Sequence, residues 1–123
     1  MRVRDDARRI VGYIGSVIER VSGRRPVCAS VRPTENGLSL IFSADPKSGA
    51  EGGHVIARSI LSPGPYGTTL VFAETLTRDG RTREVRPFTV NKPFRDIMRG
   101  ALEMPSFIFL VNPVTGDNPL QGG

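Results

Sequence analysis

The feature that most constrains the fold is an apolar stripe near the start of the chain. Seven apolar residues recur there at spacings of three and four, which places them on one side of an α-helix: Ala7, Ile10, Val11, Ile14, Val17, Ile18 and Val21. Asp5 and Asp6 suit the positive end of a helix dipole, and Ser22-Gly23 supplies a helix stop. The pattern predicts a helix over residues 5–22. Its two interior glycines weaken it, so it needs to pack against another element.

The middle of the chain predicts consecutive β-strands joined by turns. Short alternating or apolar segments are separated by turn-forming residues, and the predicted strands are 27–32, 38–44, 54–61, 68–77 and 81–90. Asn36-Gly37 predicts one turn, and Asp79-Gly80 predicts another with a two-residue loop. Pro87 cannot donate to a strand ladder, so the strand that contains it is expected at an edge or with a bulge. In the strand 38–44, apolar residues alternate with serines, which predicts that one side of the sheet is solvated.

A second amphipathic segment, an apolar run and a polar tail follow. Pro93 suits the first turn of a short helix that reaches Leu102, and Phe107 to Val111 is predicted as a buried strand. The fold class expected is α+β: an N-terminal amphipathic helix packed on a mainly antiparallel sheet of about five to six strands, with a second short helix before the last strand. Residues 1–111 form the domain in this prediction, and 112–123 form an extended Gly/Pro-rich tail.

Composition limits the class of protein. A length of 123 residues suits a single domain. The longest apolar run is Phe107 to Val111, which is far shorter than the roughly 20 residues of a membrane-spanning helix. We expect no secretory leader, because no continuous apolar segment follows the basic start of the chain. Cys28 is the single cysteine and cannot form an internal disulfide. The expected location is therefore the cytoplasm, or an assembled particle.

The basic residues supply the one local feature with functional content. The net charge of +5 is concentrated in residues 1–25 and 78–99. Four arginines gather around the predicted Asp79-Gly80 turn: Arg78, Arg81, Arg83 and Arg86. A protruding basic ribbon can contact nucleic-acid phosphates. The alternative is a solvated edge whose charges deter strand-to-strand aggregation, and Phe88 is the one nearby aromatic residue for stacking on bases.

Candidate catalytic residues are few, and each has a simpler structural interpretation. Cys28 and His54 could form a thiolate-imidazole pair, but neither lies in a nucleophile motif, so we expect a half-buried thiol and a histidine at a loop edge instead. Glu74 shares a strand face with apolar residues and suits an ion pair with an arginine on a neighbouring strand. One cysteine and one histidine fall short of a zinc ligand set. We therefore predict no catalytic residue, no metal, no cofactor and no small-molecule ligand.

Three functional hypotheses follow. The leading one is a non-enzymatic interaction or assembly subunit of a larger complex, for instance a virion or a similar particle. It would contact protein partners or further copies of itself through a sheet edge and the terminal arm, for which the candidate residues are Asn112, Pro113, Asn118, Pro119 and Leu120. The second hypothesis is a small nucleic-acid-binding module that uses the arginine-rich hairpin. The third, a small enzyme, rests on Cys28, His54 and Glu74 alone.

Overall fold

The structure is a computed structural model that describes residues 3–45 and 54–103. In these residues the chain forms two α-helices and five strands, with one 3-10 turn at Pro65–Gly67 between the third and fourth strands. In chain order they are α1 Val3–Ser22, β1 Pro26–Pro33, β2 Leu38–Ala44, β3 Val55–Pro63, β4 Thr69–Leu76, β5 Thr82–Val90 and α2 Phe94–Leu102. The predicted α+β class is confirmed, with its N-terminal helix, antiparallel sheet and second short helix. The predicted strand 107–111 and the tail 112–123 lie outside the described residues.

The sheet is a meander in which each strand pairs antiparallel with the next, in the order β1-β2-β3-β4-β5. Both helices pack on the same side of it, which we call the inner face; its residues include Leu38, Leu40, Phe42, Leu61, Val71 and Thr75. The opposite side, the outer face, carries Ile41, Arg58, Ile60, Phe72, Glu74 and Glu84. Side chains alternate between the two faces along each strand.

The apolar stripe of α1 forms one layer of the core. Ala7, Ile14 and Ile18 are almost fully buried, as their helical spacing predicts. Gly23 ends the helix in a left-handed conformation, with its N–H donating to the Glu19 carbonyl at 2.9 Å. From α2, Ile97 and Ala101 join the same core. The helices thus cover one face of the sheet.

Both edge strands are irregular. In β5 the register shifts opposite Phe72, so that Arg86 and Pro87 form a bulge, and β5 lies at the edge of the sheet. The expectation drawn from Pro87 is confirmed on both counts. At the other edge, β1 has a register shift at Ala29 and a proline at each end. Bulges and prolines on edge strands hinder pairing with further strands.

The turn between β4 and β5 differs from the sequence prediction. Thr77 and Arg81 close a three-residue loop, in which the Gly80 N–H donates to the Thr77 carbonyl at 2.9 Å and Gly80 has φ of 83°. This arrangement is a type I turn followed by a left-handed glycine. The predicted two-residue turn is wrong, because a single positive φ at Gly80 does not suffice for the type I′ turn that such a loop prefers. The extra residue changes the register of β5 by one position.

Candidate interaction surfaces

The arginine-rich hairpin lies beside the C-terminal end of α1. The Arg78 guanidinium donates from Nη2 to the Gly23 carbonyl oxygen at 2.9 Å. Carbonyl groups at the end of a helix carry partial negative charge and lack partners within the helix, so a cation is favourable there. Arg78 therefore has a structural role in closing α1. Arg24 and Arg25 follow Gly23 directly, which makes this end of the molecule basic.

Asp79 neutralises part of the charge at the tip of the hairpin. Its carboxylate accepts hydrogen bonds from the Thr77 hydroxyl and the Arg81 amide, and lies 3.6 Å from the Arg81 Nε. The hydrogen bond from the Thr77 hydroxyl, followed by that from the Arg81 amide, lowers the pKa of Asp79. Arg81 keeps an exposed side chain even in this ion pair. The tip thus holds an ordered turn with arginine side chains open to solvent.

The four predicted site arginines do not form a single cluster. Arg78 and Arg81 flank the turn, and Arg83 follows opposite Thr75 on the helix-bearing side of β5. Arg86 is exposed but lies three residues farther along, in the bulge. Arg78, Arg81 and Arg83 thus lie in or next to the turn, and Arg86 is separated from them by its place in the bulge. The predicted arm residues, Asn112, Pro113, Asn118, Pro119 and Leu120, lie outside the described residues.

The outer face is apolar at its centre. Ile60 of β3 and Phe72 of β4 are direct cross-strand partners, and their exposed fractions are 37% and 46%. Ile41 and Leu70 flank this pair and are half-buried. Within residues 3–45 and 54–103, both helices pack on the inner face, and neither covers this apolar pair. The solvated face predicted from the serines of β2 is therefore only partly polar.

Charged residues form a row beside the apolar centre. Arg58 of β3 lies 3.8 Å from Glu74 of β4, measured from Nε to Oε1, as expected from the predicted pairing of Glu74 with a neighbouring arginine. Glu84 of β5 is directly opposite Glu74 on the other side. Two carboxylates thus lie side by side on adjacent strands, and Arg58 is ion-paired with one of them, Glu74. Like charges directly opposite in an antiparallel pair are destabilising.

A groove joins the apolar centre to this charged row. It has a volume of about 390 Å³ and is lined by Ile60, Phe72 and Pro87 on its apolar side and by Arg58, Glu74 and Glu84 on its charged side. None of Ile60, Phe72 and Glu84 was a candidate from the sequence. A signal was present, since Leu70 to Ala73 is an uninterrupted apolar run, which indicates a strand with apolar side chains on both faces.

The candidate catalytic residues lie in different environments. Cys28 is buried in the core, and its thiol donates to the Ser30 carbonyl at 3.6 Å. Burial raises the pKa of Cys28 to about 12, so the thiol is neutral near neutral pH and a poor nucleophile. His54 is exposed directly before β3, and Glu74 is ion-paired on the outer face. Cys28 is more deeply buried than the half-buried thiol that the sequence predicts.

Across 3–45 and 54–103, no group of three or more His, Cys, Asp and Glu side chains is placed to hold a metal ion. In those two ranges, neither helix is long and apolar enough to cross a membrane. Comparison with known proteins adds no relative: no protein-family model, curated protein or solved structure matches the chain.

Proposed function

We propose that the chain is a non-enzymatic interaction subunit that docks a protein partner on the outer face of its sheet. The observation that carries the proposal is the exposed Ile60–Phe72 pair at the centre of that face. Exposed apolar patches rimmed by charged residues are typical of protein interaction sites. The proposed setting is a larger complex, such as a virion or similar particle, or a partner complex in the cytoplasm.

The outer face suits docking better than either sheet edge does. Strand addition at an edge needs a row of free backbone donors and acceptors in regular register. Pro87 and the bulge beside it interrupt that row in β5, and the bulge at Ala29 interrupts it in β1. The sheet-edge contact expected from the sequence is therefore replaced in the proposal by a contact on the face. The terminal arm, residues 112–123, remains a second proposed contact.

Affinity capture from the native source tests the proposal with matched variants. Phe72→Ser removes the larger apolar side chain of the exposed pair, and Leu102→Ser is the control, since Leu102 is 62% exposed on α2. We expect partners captured by the parent chain and the control to be lost with Phe72→Ser. Circular dichroism and urea unfolding check that both variants fold. Retention of every partner by Phe72→Ser would contradict the proposal.

Deletion of residues 112–123 tests the terminal arm separately. If the arm contributes a contact, the truncated chain assembles less or captures less partner than the full chain, while the effect of Phe72→Ser is unchanged. Light scattering coupled to gel filtration measures the size of the complexes. An identical size distribution for the full and truncated chains would remove the arm from the proposal and leave the outer face as the proposed contact.

Nucleic-acid binding is the second candidate function, and the basic end of the molecule favours it. Arg81 and Arg83 are exposed there, near the end of α1 that Arg78 contacts. Binding of labelled oligonucleotides between 50 and 200 mM salt tests the idea. We expect affinity to fall steeply with salt, and each of Arg81→Ala and Arg83→Ala to reduce the salt slope by about one. Arg95→Ala, on α2, is the control, and salt-independent binding or no binding at 50 mM would count against this function.

A further inference from the structure

The residues that line the groove on the outer face indicate what kind of segment would bind there. Its apolar side is formed by Ile60, Phe72 and Pro87. Its other side has an excess of negative charge, because Glu74 and Glu84 are directly opposite and Arg58 contacts Glu74. Within the part of the chain that the structure describes, Glu84 forms no ion pair. An occupant that supplies a cation would relieve the repulsion between the two carboxylates.

We infer that the groove binds a basic amphipathic segment of a protein partner, with an apolar side chain against Ile60 and Phe72 and an arginine or lysine against Glu74 and Glu84. This inference rests on the proposed function and adds the chemistry of the partner. Glu74 is two residues from Phe72 on the same strand face, a separation of roughly 7 Å. Side chains three or four residues apart on a helix are spaced about 5–6 Å, which fits this distance.

The other occupants are less compatible with these charges. Nucleic acid would bring phosphates to the pair of carboxylates, which is unfavourable. A second copy of the chain would bring the same excess of negative charge to the centre of a symmetric interface. A basic partner meets opposite charge at the groove, and its apolar side chain covers the exposed Ile60–Phe72 pair. The charge pattern therefore favours a different protein over both alternatives.

Panning a random 12-residue peptide library displayed on phage against the folded, immobilised full chain tests the inference. Enriched peptides are expected to share an apolar residue with an arginine or lysine two to four positions away. Synthetic versions are then titrated by fluorescence anisotropy. We expect Phe72→Ser to abolish binding and Glu84→Gln to weaken it about fivefold at low salt, with a smaller effect at high salt. Glu35→Gln, in the exposed β1–β2 turn, is the matched control and should bind as the parent chain does.

The other possible outcomes contradict different parts of the proposal. Peptides that need Phe72 but lack basic residues, or that bind Glu84→Gln as tightly as the parent, overturn the partner chemistry and leave the proposed function intact. Peptides insensitive to both Phe72→Ser and Ile60→Ser overturn docking on the outer face itself. Failure to enrich any peptide counts against the basic segment as the occupant. A dimer of the parent chain that dissociates with Phe72→Ser, measured by analytical ultracentrifugation, assigns the face to a second copy and overturns the inference.

Discussion

Two neighbouring cross-strand pairs show how differently the two faces of the sheet are used. Leu61 and Val71 are partners across β3 and β4, and one residue along each strand Ile60 and Phe72 are partners as well. All four side chains are apolar, yet the first pair has 0% exposure at both positions and the second has 37% and 46%. The strands are the same, so the difference comes from the helices, which cover one side only.

This comparison separates what stabilises the fold from what is available to a partner. The inner pair contacts a core that includes Ile14 and Ile18 of α1 and Ile97 of α2. Full burial of such a side chain is worth about 1.5–3 kcal/mol relative to exposure. The outer pair gains only part of this burial free energy, and it would gain the remainder if another surface covered it. Substitutions on the inner face should therefore lower the stability of the fold, whereas substitutions on the outer face should mainly affect partner binding.

The largest effect is expected at Leu61. Leu61→Ala removes a fully buried side chain and leaves a cavity between the sheet and the helices, so the free energy of unfolding should fall by about 2–5 kcal/mol. Ile60→Ala, its neighbour on the outer face, should cost about 1 kcal/mol or less. Urea unfolding of the two variants measures the difference. Equal losses for both would mean that the two faces are equally buried, contrary to the comparison.

Gly37 provides a backbone test of how closely β2 and β3 approach each other. A Cβ atom added there would lie 2.1 Å from the carbonyl oxygen of Leu61, so β2 and β3 could not keep their present separation. We expect Gly37→Ala to lower the free energy of unfolding by about 1–3 kcal/mol. Gly80→Ala is the control, because its Cβ would meet no atom within 4 Å and only its φ of +83° opposes the substitution, at about 1 kcal/mol. A smaller loss for Gly37→Ala than for Gly80→Ala would contradict the close contact.

The inner face could be predicted from the sequence because its signals are periodic. Five of the seven residues in the α1 stripe are buried, and Val17 and Val21 are half-buried. The alternating residues Leu38, Leu40, Phe42 and Ala44 are all buried. Periodicity shows which residues share a face, but it does not show whether anything covers that face. The order of strands and the position of the helices decide coverage, and these follow from long-range packing. The apolar run Leu70 to Ala73 therefore indicated apolar side chains on both faces, but not that Phe72 would be left exposed.

The row of charged residues on the outer face depends on the register between β4 and β5. The local sequence pattern does not determine that register. A two-residue turn at Asp79-Gly80 would have placed Val85 opposite Glu74, whereas the three-residue loop places Glu84 there. The bulge at Arg86 and Pro87 shifts the pairing again, so Phe88 is opposite Val71. Pro87 predicted that this strand would be irregular, but not how far its register would shift. The arginines of the hairpin were visible in the sequence, while the role of Arg78 at the end of α1 required the tertiary structure.

Cys28 provides a pH test of the inner face. Burial raises the pKa of Cys28 from its ordinary value of 9.0 to about 12, so above pH 9 the folded chain retains a proton that the unfolded chain loses. Stability from this group is complete below pH 9 and declines as the pH rises toward 12, by at most about 1.4 kcal/mol per pH unit. Unfolding of the parent chain should therefore be more sensitive to alkaline pH than that of Cys28→Ala. Identical pH dependence would show that the thiol is accessible to water.

The smallest effect distinguishes two arginines of the same hairpin. Arg78 donates to the Gly23 carbonyl and so supports the helix that covers the inner face, whereas Arg86 lies exposed in the bulge of β5. The Arg78 contact is exposed to solvent, which weakens it, so Arg78→Ala should lower the free energy of unfolding by about 0.5 kcal/mol and Arg86→Ala by less. Amide exchange at the last turn of α1 reports the same contact locally and should accelerate with Arg78→Ala alone. Equal exchange in both variants would mean that α1 ends without help from the hairpin, and Arg78 would then join Arg81 and Arg83 as an arginine available to a partner.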